Sequence, residues 1–406
     1  MKHVVVVGGG FGGVKAALEL SRKRLRNLKI TLISNSPHFE YHGALYRVLA
    51  GHSPMEVCVP LNEIFEGTGV EVVQDSVVSI DLQKKEVRAT TTYRYDFLVL
   101  AVGSENSYFN TPGLKELSFS INSIENTFQL NHHLHDIFMK CKVDDSDDKN
   151  CSAHIVIVGA GATGCEVAGE LAVYAREIAK KHGIDPSFVT IDLIQSGNRL
   201  MPMLSADVSE TIKKRLYSLG VNIFLNRRVL KEEIEQVYLK DMEMKTKTLI
   251  WCAGVKPSSL VSQTAGLTFD KRGRVEVTEY LQAKGYEDVY VLGDIAATQY
   301  SGMAQTALVD GIYAAGHIAS RVTGQVIGKY VPVPPKYALP LGPDWAVASI
   351  GPFHLSGYPG WILRRYMDLK VFRSVLPLSK AIVAFQSDRI LCEYCPMCCK
   401  LTEKKT

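Results

Sequence analysis

The sequence contains no long apolar run. No stretch of its 406 residues approaches the roughly 20 consecutive apolar residues of a membrane-spanning helix, although 46% of the chain is hydrophobic. The first strand-like segment begins at Lys2 or His3, which leaves no room for a removable secretory signal. We therefore expect a soluble or peripheral protein of the cytoplasm.

Paired cysteines are also lacking in most of the chain. Of nine cysteines, five are scattered singly, which is typical of a reducing compartment rather than of a disulfide framework. These five are Cys58, Cys141, Cys151, Cys165 and Cys252. The other four crowd the C-terminus as Cys392, Cys395, Cys398 and Cys399. Their spacing suits zinc or an iron–sulfur cluster. Lipid attachment, a redox-labile thiol cluster and a disordered tail stay open, and we assign no metal site.

The chain has little net charge, and the small surplus is unevenly placed. Beyond Ser356 there are nine Lys and Arg against four Asp and Glu, so the +4 total leaves 37 minus 38, or −1, for the rest. This balance argues against a nucleic-acid-binding body. It indicates a basic C-terminal tail or face.

Two glycine loops are the main positive signal. Four valines at residues 4–7 indicate a strand buried on both faces, and they run into a loop with five glycines, followed by a helical segment. Residues 154–158 repeat the pattern, with glycines at 159, 161 and 164. In such loops the glycines let the backbone approach a pyrophosphate at a helix N-terminus. Two complete fingerprints in one chain predict an α/β protein that binds two dinucleotides.

The carboxyl ends of the other buried strands carry small or polar residues. The strand after the first loop ends at Ser34 and Asn35, where an acidic residue usually meets the adenosine ribose, and the strand after the second loop ends at Gln195. Two more strands end in small-residue turns at Gly103 and Gly254. A further strand ends in Gly293 and Asp294.

This order of motifs resembles the two-dinucleotide-binding-domain flavoproteins across about residues 2–325. Within them, the chain is most similar to type II NADH dehydrogenases, which pass electrons from NADH through FAD to quinone. Three stretches carry that similarity, namely residues 39–51, 161–171 and 304–311.

The resemblance implies two Rossmann-like three-layer α/β domains and a C-terminal module that contacts a membrane or a second subunit. Residues 1–115 and 270–330 are expected to form a discontinuous FAD domain, with an NAD(P)H domain, residues 116–269, inserted between them. Residues 331–406 would form the C-terminal module with its cysteine-rich tail.

The resemblance also implies roles for individual residues. The expected FAD contacts are Gly8, Gly10, Phe11, Gly12, Gly13, Ser34, Asn35, Val77, Ala101, Gly103, Gly293, Asp294, Gln305 and Thr306. The expected NADH contacts are Gly159, Gly161, Thr163, Gly164, Gln195 and Gly254. Glu166 would orient the nicotinamide carboxamide, and Glu170, one helical turn on, would handle protons at the acceptor side.

Several positions depart from the family pattern. Gly43 and Ala44 replace Pro-Leu, and Val309 replaces a glutamine that the family places beside the quinone. Quinone is nevertheless the expected acceptor. Gln195 replaces the glutamate that pairs with the NADH ribose, and Arg199 lies nearby, so the use of NADPH stays open.

A segment near the C-terminus, residues 361–373, mixes bulky apolar groups with cations. As a helix it would align Ile362, Tyr366 and Leu369, which suits a helix lying on the anionic surface of a membrane. The expected location is therefore peripheral, on the cytoplasmic side of a membrane. A helix packed on the body, or in a homodimer interface, is the alternative.

Two other functions stay open. One is a flavoprotein that responds to NAD(P)H and signals through a partner. The other is a sulfur or protein-thiol oxidoreductase that uses cysteines. Residues 37–52 lack the cysteine pair of disulfide reductases, and Cys165 has no neighbouring thiol in sequence.

Overall fold

The computed structural model describes residues 1–143, 153–350, 353–387 and 390. Its first part contains β1 (Lys2–Val7), α1 (Phe11–Arg22), β2 (Leu28–Ser34), β3 (His38–Glu40), α2 (Leu45–Leu49), β4 (Cys58–Pro60), α3 (Leu61–Ile64), β5 (Glu71–Gln74), β6 (Ser79–Asp81), β7 (Glu86–Arg88), β8 (Thr92–Arg94), β9 (Phe97–Leu100), β10 (Ser104–Asn106) and α4 (Leu114–Leu117).

The middle part contains α5 (Ile124–Val143), β11 (His154–Val158), α6 (Ala162–Lys181), β12 (Thr190–Ile194), α7 (Ala206–Ser218), β13 (Val221–Phe224), β14 (Val229–Glu233), β15 (Gln236–Leu239), β16 (Glu243–Lys245), β17 (Thr248–Trp251), β18 (Val255–Pro257) and α8 (Ser259–Ser262). The last part contains β19 (Val289–Val291), α9 (Ala304–Thr323), β20 (Tyr337–Pro340), β21 (Ala346–Ile350), β22 (Phe353–Gly357), α10 (Tyr358–Val375) and α11 (Leu378–Gln386).

The first sheet is parallel, with the strand order β19-β9-β1-β2-β5. Because side chains alternate along a strand, Val4 and Val6 face one layer and Val5 and Val7 face the other. Val4 and Val6 pack with the apolar residues of α1 and α9, whereas Val5 and Val7 pack against the β6-β7-β8 sheet. The sheet therefore lies in the middle of three layers, and its fifth strand comes from far along the chain.

The second sheet is also parallel, with the order β13-β12-β11-β17. A separate antiparallel sheet, β14-β15-β16, packs on one of its faces through Val229, Val237 and Leu239. Helix α6 covers the other face with Val167, Ala168 and Leu171. Both halves have the predicted Rossmann-like α/β architecture, so the expected fold class is confirmed.

The C-terminal part combines an antiparallel sheet, β20-β21-β22, with α10 and α11. Helix α10 spans the segment that the sequence predicted to be helical. Among the residues that the structure describes, no helix is long and apolar enough to cross a membrane. The domain limits drawn from the sequence stay a prediction.

Candidate functional site

The first glycine loop is shaped by close backbone contacts. Gly8 has a φ of +114°, and a Cβ there would lie 2.3 Å from the Ala101 carbonyl oxygen. A Cβ on Gly13 would lie 2.0 Å from the Gly8 carbonyl oxygen. No other residue fits these two positions, so the sequence keeps glycine where the loop turns tightly from β1 into α1.

The second loop has the same construction. Gly159 has a φ of +104°, with its Cβ position 2.5 Å from the Ala253 Cα atom, and a Cβ on Gly164 would lie 1.8 Å from the Gly159 carbonyl oxygen. By contrast, the Cβ positions of Gly10 and Gly161 have no atom within 4 Å. These two residues are the N-caps of α1 and α6, so each helix presents its free N–H groups to an open space that fits a pyrophosphate.

The remaining residues around the first loop serve packing or face outward. The Phe11 ring packs edge-on against Phe39, with 4.9 Å between ring centroids, so only its backbone can meet a phosphate. Ser34 is buried beside Gly9, whereas Asn35 is exposed and available to an adenosine ribose. Gly12 lets α1 approach α9, since a Cβ there would lie 3.5 Å from the Ala307 carbonyl oxygen and 3.3 Å from Leu292 Cβ. Val77 lies half-buried beyond β5.

The turns after β9 and β19 meet at the carboxyl edge of the first sheet. Ala101 directly follows β9 and leads to Gly103, and Ser104 Oγ donates a 2.6 Å hydrogen bond to Asp294 Oδ2. The Gly293 N–H donates to Asp310 Oδ2 at 2.9 Å. This buried carboxylate on α9 fixes the turn that presents Asp294, and the sequence reading did not identify it.

The N-terminus of α9 points into the same region. Thr306 is 1% exposed, and its hydroxyl oxygen has no hydrogen-bond partner in the described protein, so a buried polar atom is left for a ligand. Together with the open N-terminus of α1 and the Asp294 turn, this unpartnered hydroxyl fits the FAD that the sequence predicts. The side-chain amide of Gln305 exchanges hydrogen bonds of 2.8 and 3.0 Å with the Lys336 backbone, and the predicted contact of this residue with FAD stays a prediction.

A short antiparallel pair joins the two sheets at their carboxyl edges. Strand β10 follows β9 and pairs with β18, which follows β17, so Ser104 lies opposite Pro257 and Asn106 opposite Val255. Gly254 stands at this junction, where a Cβ would lie 2.5 Å from the Phe109 ring. The pair therefore places both glycine loops on one side of the molecule.

Two glutamates of α6 lie within the junction between the halves. Burial raises the pKa of Glu166 to about 7, against the lowering effect of Arg364, and burial likewise raises the pKa of Glu170 to about 7. Carboxyl groups with pKa values near neutrality can gain and lose protons under physiological conditions. Thr163, in the first turn of the same helix, is exposed to the open side of the loop.

Buried charges surround Glu166 and form what we call the charge cluster. Its members are Arg47, Glu56, Glu166, Arg364, Arg365 and Asp368. Asp368 accepts hydrogen bonds from Arg47 at 2.8 Å and from Arg364 Nε at 2.9 Å. Arg364 also donates to Glu166 Oε1 at 3.3 Å and to the Gly43 carbonyl oxygen. The cluster thus ties α10 to the loop before α2 and to α6.

Sequence reasoning missed most of this cluster. It assigned the apolar face of α10 to a membrane, and Ile362 and Tyr366 are indeed 52% and 62% exposed, whereas Leu369 is half-buried. The opposite face carries Arg364 and Asp368, four residues apart and paired. That i,i+4 spacing of opposite charges was the available signal, but on its own it indicates a solvated helix face.

The comparisons with known proteins cover nearly the whole chain. The family model described as pyridine nucleotide-disulphide oxidoreductase matches residues 2–330. A type II NADH:quinone oxidoreductase of Staphylococcus haemolyticus is 26% identical over 404 residues, covering 96% of this chain and 98% of the relative. The type II NADH:quinone oxidoreductase Ndh of Mycobacterium tuberculosis is 29% identical over 384 residues, covering 89% and 82%.

Solved structures show the same fold. NDH2 from Plasmodium falciparum in complex with NADH superposes with a TM-score of 0.85 at 18% identity, covering 95% of this chain and 97% of that one. The sulfide:quinone oxidoreductase of Aquifex aeolicus gives a TM-score of 0.76 at 21% identity, with 92% of each chain covered. The resemblance to type II NADH:quinone oxidoreductases that the sequence indicated is confirmed.

Proposed function

The chain belongs to the pyridine nucleotide-disulphide oxidoreductase family, and on that premise we propose that it oxidises NADH through bound FAD and reduces a quinone without pumping protons. The observation that carries the proposal is the β10–β18 pair, which brings the carboxyl edges of the two sheets together. Hydride transfer needs the nicotinamide and the flavin in contact, and two facing nucleotide sites supply that proximity. The curated relatives named as type II NADH:quinone oxidoreductases support the choice of donor and acceptor.

Bound FAD would supply hydride acceptance from the nicotinamide and electron transfer to the acceptor. The protein supplies binding and orientation. The N-termini of α1 and α6 would hold the two pyrophosphates, and Asp294 would bind the ribityl region of FAD. The N-terminus of α9, with Thr306, would stabilise the negative charge that the flavin gains on reduction.

The glutamates of α6 supply the ionisable groups. Glu166, in the first turn after the glycine loop, holds the nicotinamide carboxamide, and Arg364 fixes its carboxylate from α10 at 3.3 Å. Glu170 lies one turn further along the same face and moves protons towards the acceptor side. The quinone approaches between α9, where Val309 lies one turn after Gln305, and the C-terminal module.

The proposal predicts rapid turnover. Mixed anaerobically with NADH, the purified yellow protein should lose its flavin absorbance within seconds, and a soluble quinone should restore it and sustain catalysis. Stopped-flow spectroscopy at the flavin maximum measures both steps. Stoichiometric reduction by NADH without quinone turnover would contradict the proposal and favour the alternative, a flavoprotein that signals through its reduced state.

Thiol chemistry is a second candidate because a sulfide:quinone oxidoreductase shares the fold. The described cysteines disfavour it. Cys165 is fully buried and burial raises its thiol pKa far above the usual range, while burial raises the pKa of Cys252 to about 12. Neither thiol is available as a thiolate near pH 7. Cys392, Cys395, Cys398 and Cys399 lie outside the described residues.

We also propose that the protein binds a membrane surface from the cytoplasmic side. The exposed apolar side chains of the last part form a membrane patch, which we define as Phe353, Leu355, Tyr358, Ile362, Tyr366, Leu378, Ile382 and Val383. The exposed cations Lys370 and Arg373 flank it on α10. Apolar side chains beside cations suit an anionic lipid interface, and a quinone would enter from the same side.

Replacing Ile362 and Tyr366 together by aspartate should reduce binding to vesicles containing anionic lipid by about tenfold or more, because two exposed apolar side chains that would enter the lipid interface are lost. Vesicle flotation measures the binding, and turnover with a soluble quinone should not change. Ile234→Asp is the matched control, since Ile234 is 81% exposed on the β14–β15 hairpin. If the double variant binds vesicles normally but changes from dimer to monomer by light scattering, the patch serves a homodimer instead.

A further inference from the structure

The carboxyl end of β12 presents a neutral side chain that is turned towards its own glycine loop. Gln195 Oε1 accepts a hydrogen bond from the Ala160 N–H at 3.2 Å, and its Nε2 donates to the Arg199 carbonyl oxygen at 3.4 Å. In a dinucleotide fold this strand end meets the adenosine ribose, where a carboxylate selects NADH by binding the 2′-hydroxyl and repelling a 2′-phosphate. Gln195 provides no such repulsion.

The segment after β13 brings arginines to the same place. The Arg227 N–H donates to the Gln195 carbonyl oxygen at 3.0 Å, and the Asn226 N–H donates to the Gly197 carbonyl oxygen at 2.9 Å. Residues 195–197 and 224–227 therefore run side by side beyond the sheet edge. Arg227 lies directly beside Gln195, Arg228 follows it, and Arg199 lies four residues further along the first segment.

These arginines retain free hydrogen-bonding capacity. Arg227 pairs with Asp241 at 3.1 Å through Nη1, but its Nε is buried and has no partner among the described residues. Arg228 is exposed, and the described part of the chain gives it no ion pair. Within the described residues, the Arg199 guanidinium donates to the Pro202 carbonyl oxygen of its own turn. A phosphate dianion would find both charge and N–H donors here.

The first sheet offers an internal comparison. At the corresponding strand end the Asp75 N–H donates to the Ser34 carbonyl oxygen at 2.9 Å, so a carboxylate stands where the second sheet has Arg227. FAD carries no phosphate on the 2′-hydroxyl of its adenosine ribose. Of these two described strand ends, the one after β12, which would face the nicotinamide nucleotide, carries the basic residues, and the one after β2 does not.

We propose that Gln195, Arg199, Arg227 and Arg228 form a subsite for the 2′-phosphate of NADPH, so that the enzyme takes NADPH as well as NADH. This inference rests on the proposed function and extends its donor specificity. Arginine guanidinium groups bind the phosphate oxygens, and Gln195 holds the glycine loop and bonds the 3′-hydroxyl side of the ribose without adding charge.

The test compares kcat/KM for the two donors in the flavin-loaded enzyme. The wild-type protein should oxidise NADPH within about threefold of NADH. Gln195→Glu should lower the ratio of kcat/KM for NADPH to kcat/KM for NADH about 30-fold, which corresponds to one unfavourable charged contact of roughly 2 kcal/mol. Arg228→Gln, an exposed substitution, should reduce the NADPH value selectively. Lys214→Gln, an exposed charge removal on α7, is the matched control and should change neither donor.

A binding measurement separates this inference from the proposed function. Titration with 2′,5′-ADP followed by calorimetry should show binding to the wild-type protein and a loss of about tenfold or more in affinity in Gln195→Glu. NADH oxidation with no NADPH oxidation and no 2′,5′-ADP binding would overturn the subsite and leave the proposed function standing. Absence of turnover with either donor, but with 2′,5′-ADP bound, would overturn the proposed function instead.

Discussion

Asp368→Asn is expected to destabilise the protein by about 4 kcal/mol, because it removes the central anion of the charge cluster. Asp368 is fully buried and accepts hydrogen bonds from Arg47, Arg364, Arg365 and the Tyr41 hydroxyl. Asparagine has nearly the same shape, so little packing is lost. What is lost is one of the three carboxylates that balance three buried guanidinium groups, and a buried charge without compensation is costly.

The pH dependence of stability follows from the same residue. Burial acts to raise the pKa of Asp368, but Arg364 and Arg47 outweigh it and hold the pKa at about 2. Since this value lies below the roughly 3.9 of an unfolded aspartate, ionised Asp368 stabilises the fold above about pH 4, and this contribution is lost as the pH falls from about 4 to 2. Asp368→Asn should lack that loss.

Urea denaturation at neutral pH, followed by circular dichroism at equal flavin content, measures the effect as a fall in the transition midpoint. Asp136→Asn is the matched control, since Asp136 is exposed on α5, and its free energy of unfolding should stay within about 0.5 kcal/mol of the wild-type value. A midpoint for Asp368→Asn that equals the control would show that the three arginines find compensation elsewhere, and the account of the cluster would then be wrong.

The features that could be predicted from the sequence are those set by local backbone geometry. Gly8 and Gly159 are read directly from the chain because their turns exclude every side chain, and the buried parallel strands that precede them appear as unbroken apolar runs. The charge cluster has no such local signature. Arg47 and Asp368 are 321 residues apart and become partners only when α10 packs against α2.

Helix α10 has an exposed apolar face and a buried charged face, and the sequence pattern indicated only the first. Its exposed residues Ile362 and Tyr366 gave the sequence signal, whereas its buried face is held by charges rather than by apolar packing. Hydrophobic periodicity identifies only the apolar face of a helix, and it therefore did not show that the opposite face of α10 is buried by paired charges. The partner of the Gln305 side chain could not be predicted either, because its amide bonds the backbone of Lys336, far along the chain. Its contact with the flavin stays a prediction.

Glu166→Gln is expected to slow flavin reduction by NADH about 100-fold without affecting flavin content. Nicotinamide gains positive charge as its hydride leaves, and an ionised carboxylate beside the carboxamide stabilises that charge. Because burial raises the pKa of Glu166 to about 7, the wild-type rate of flavin reduction should increase as the pH rises through about 7 and level off above it. The glutamine variant has no titrating group there, so its rate should be flat across this range.

Glu170→Gln is the matched control for the role of Glu166. Burial raises the pKa of Glu170 to about 7 as well, and the residue lies one turn further from the glycine loop on the same helix. This variant should keep both the rate and the pH dependence of flavin reduction, and should slow only the reoxidation of the flavin by quinone, which requires protons.

Glutamine at position 166 still offers an oxygen to Arg364, so α10 stays in place and the two half-reactions can be compared in folded protein. Stopped-flow traces from pH 5.5 to 8.5, a range of roughly 1.5 units either side of the expected midpoint, resolve both steps. If the rise near pH 7 survives in Glu166→Gln and disappears in Glu170→Gln, the roles of the two residues must be exchanged.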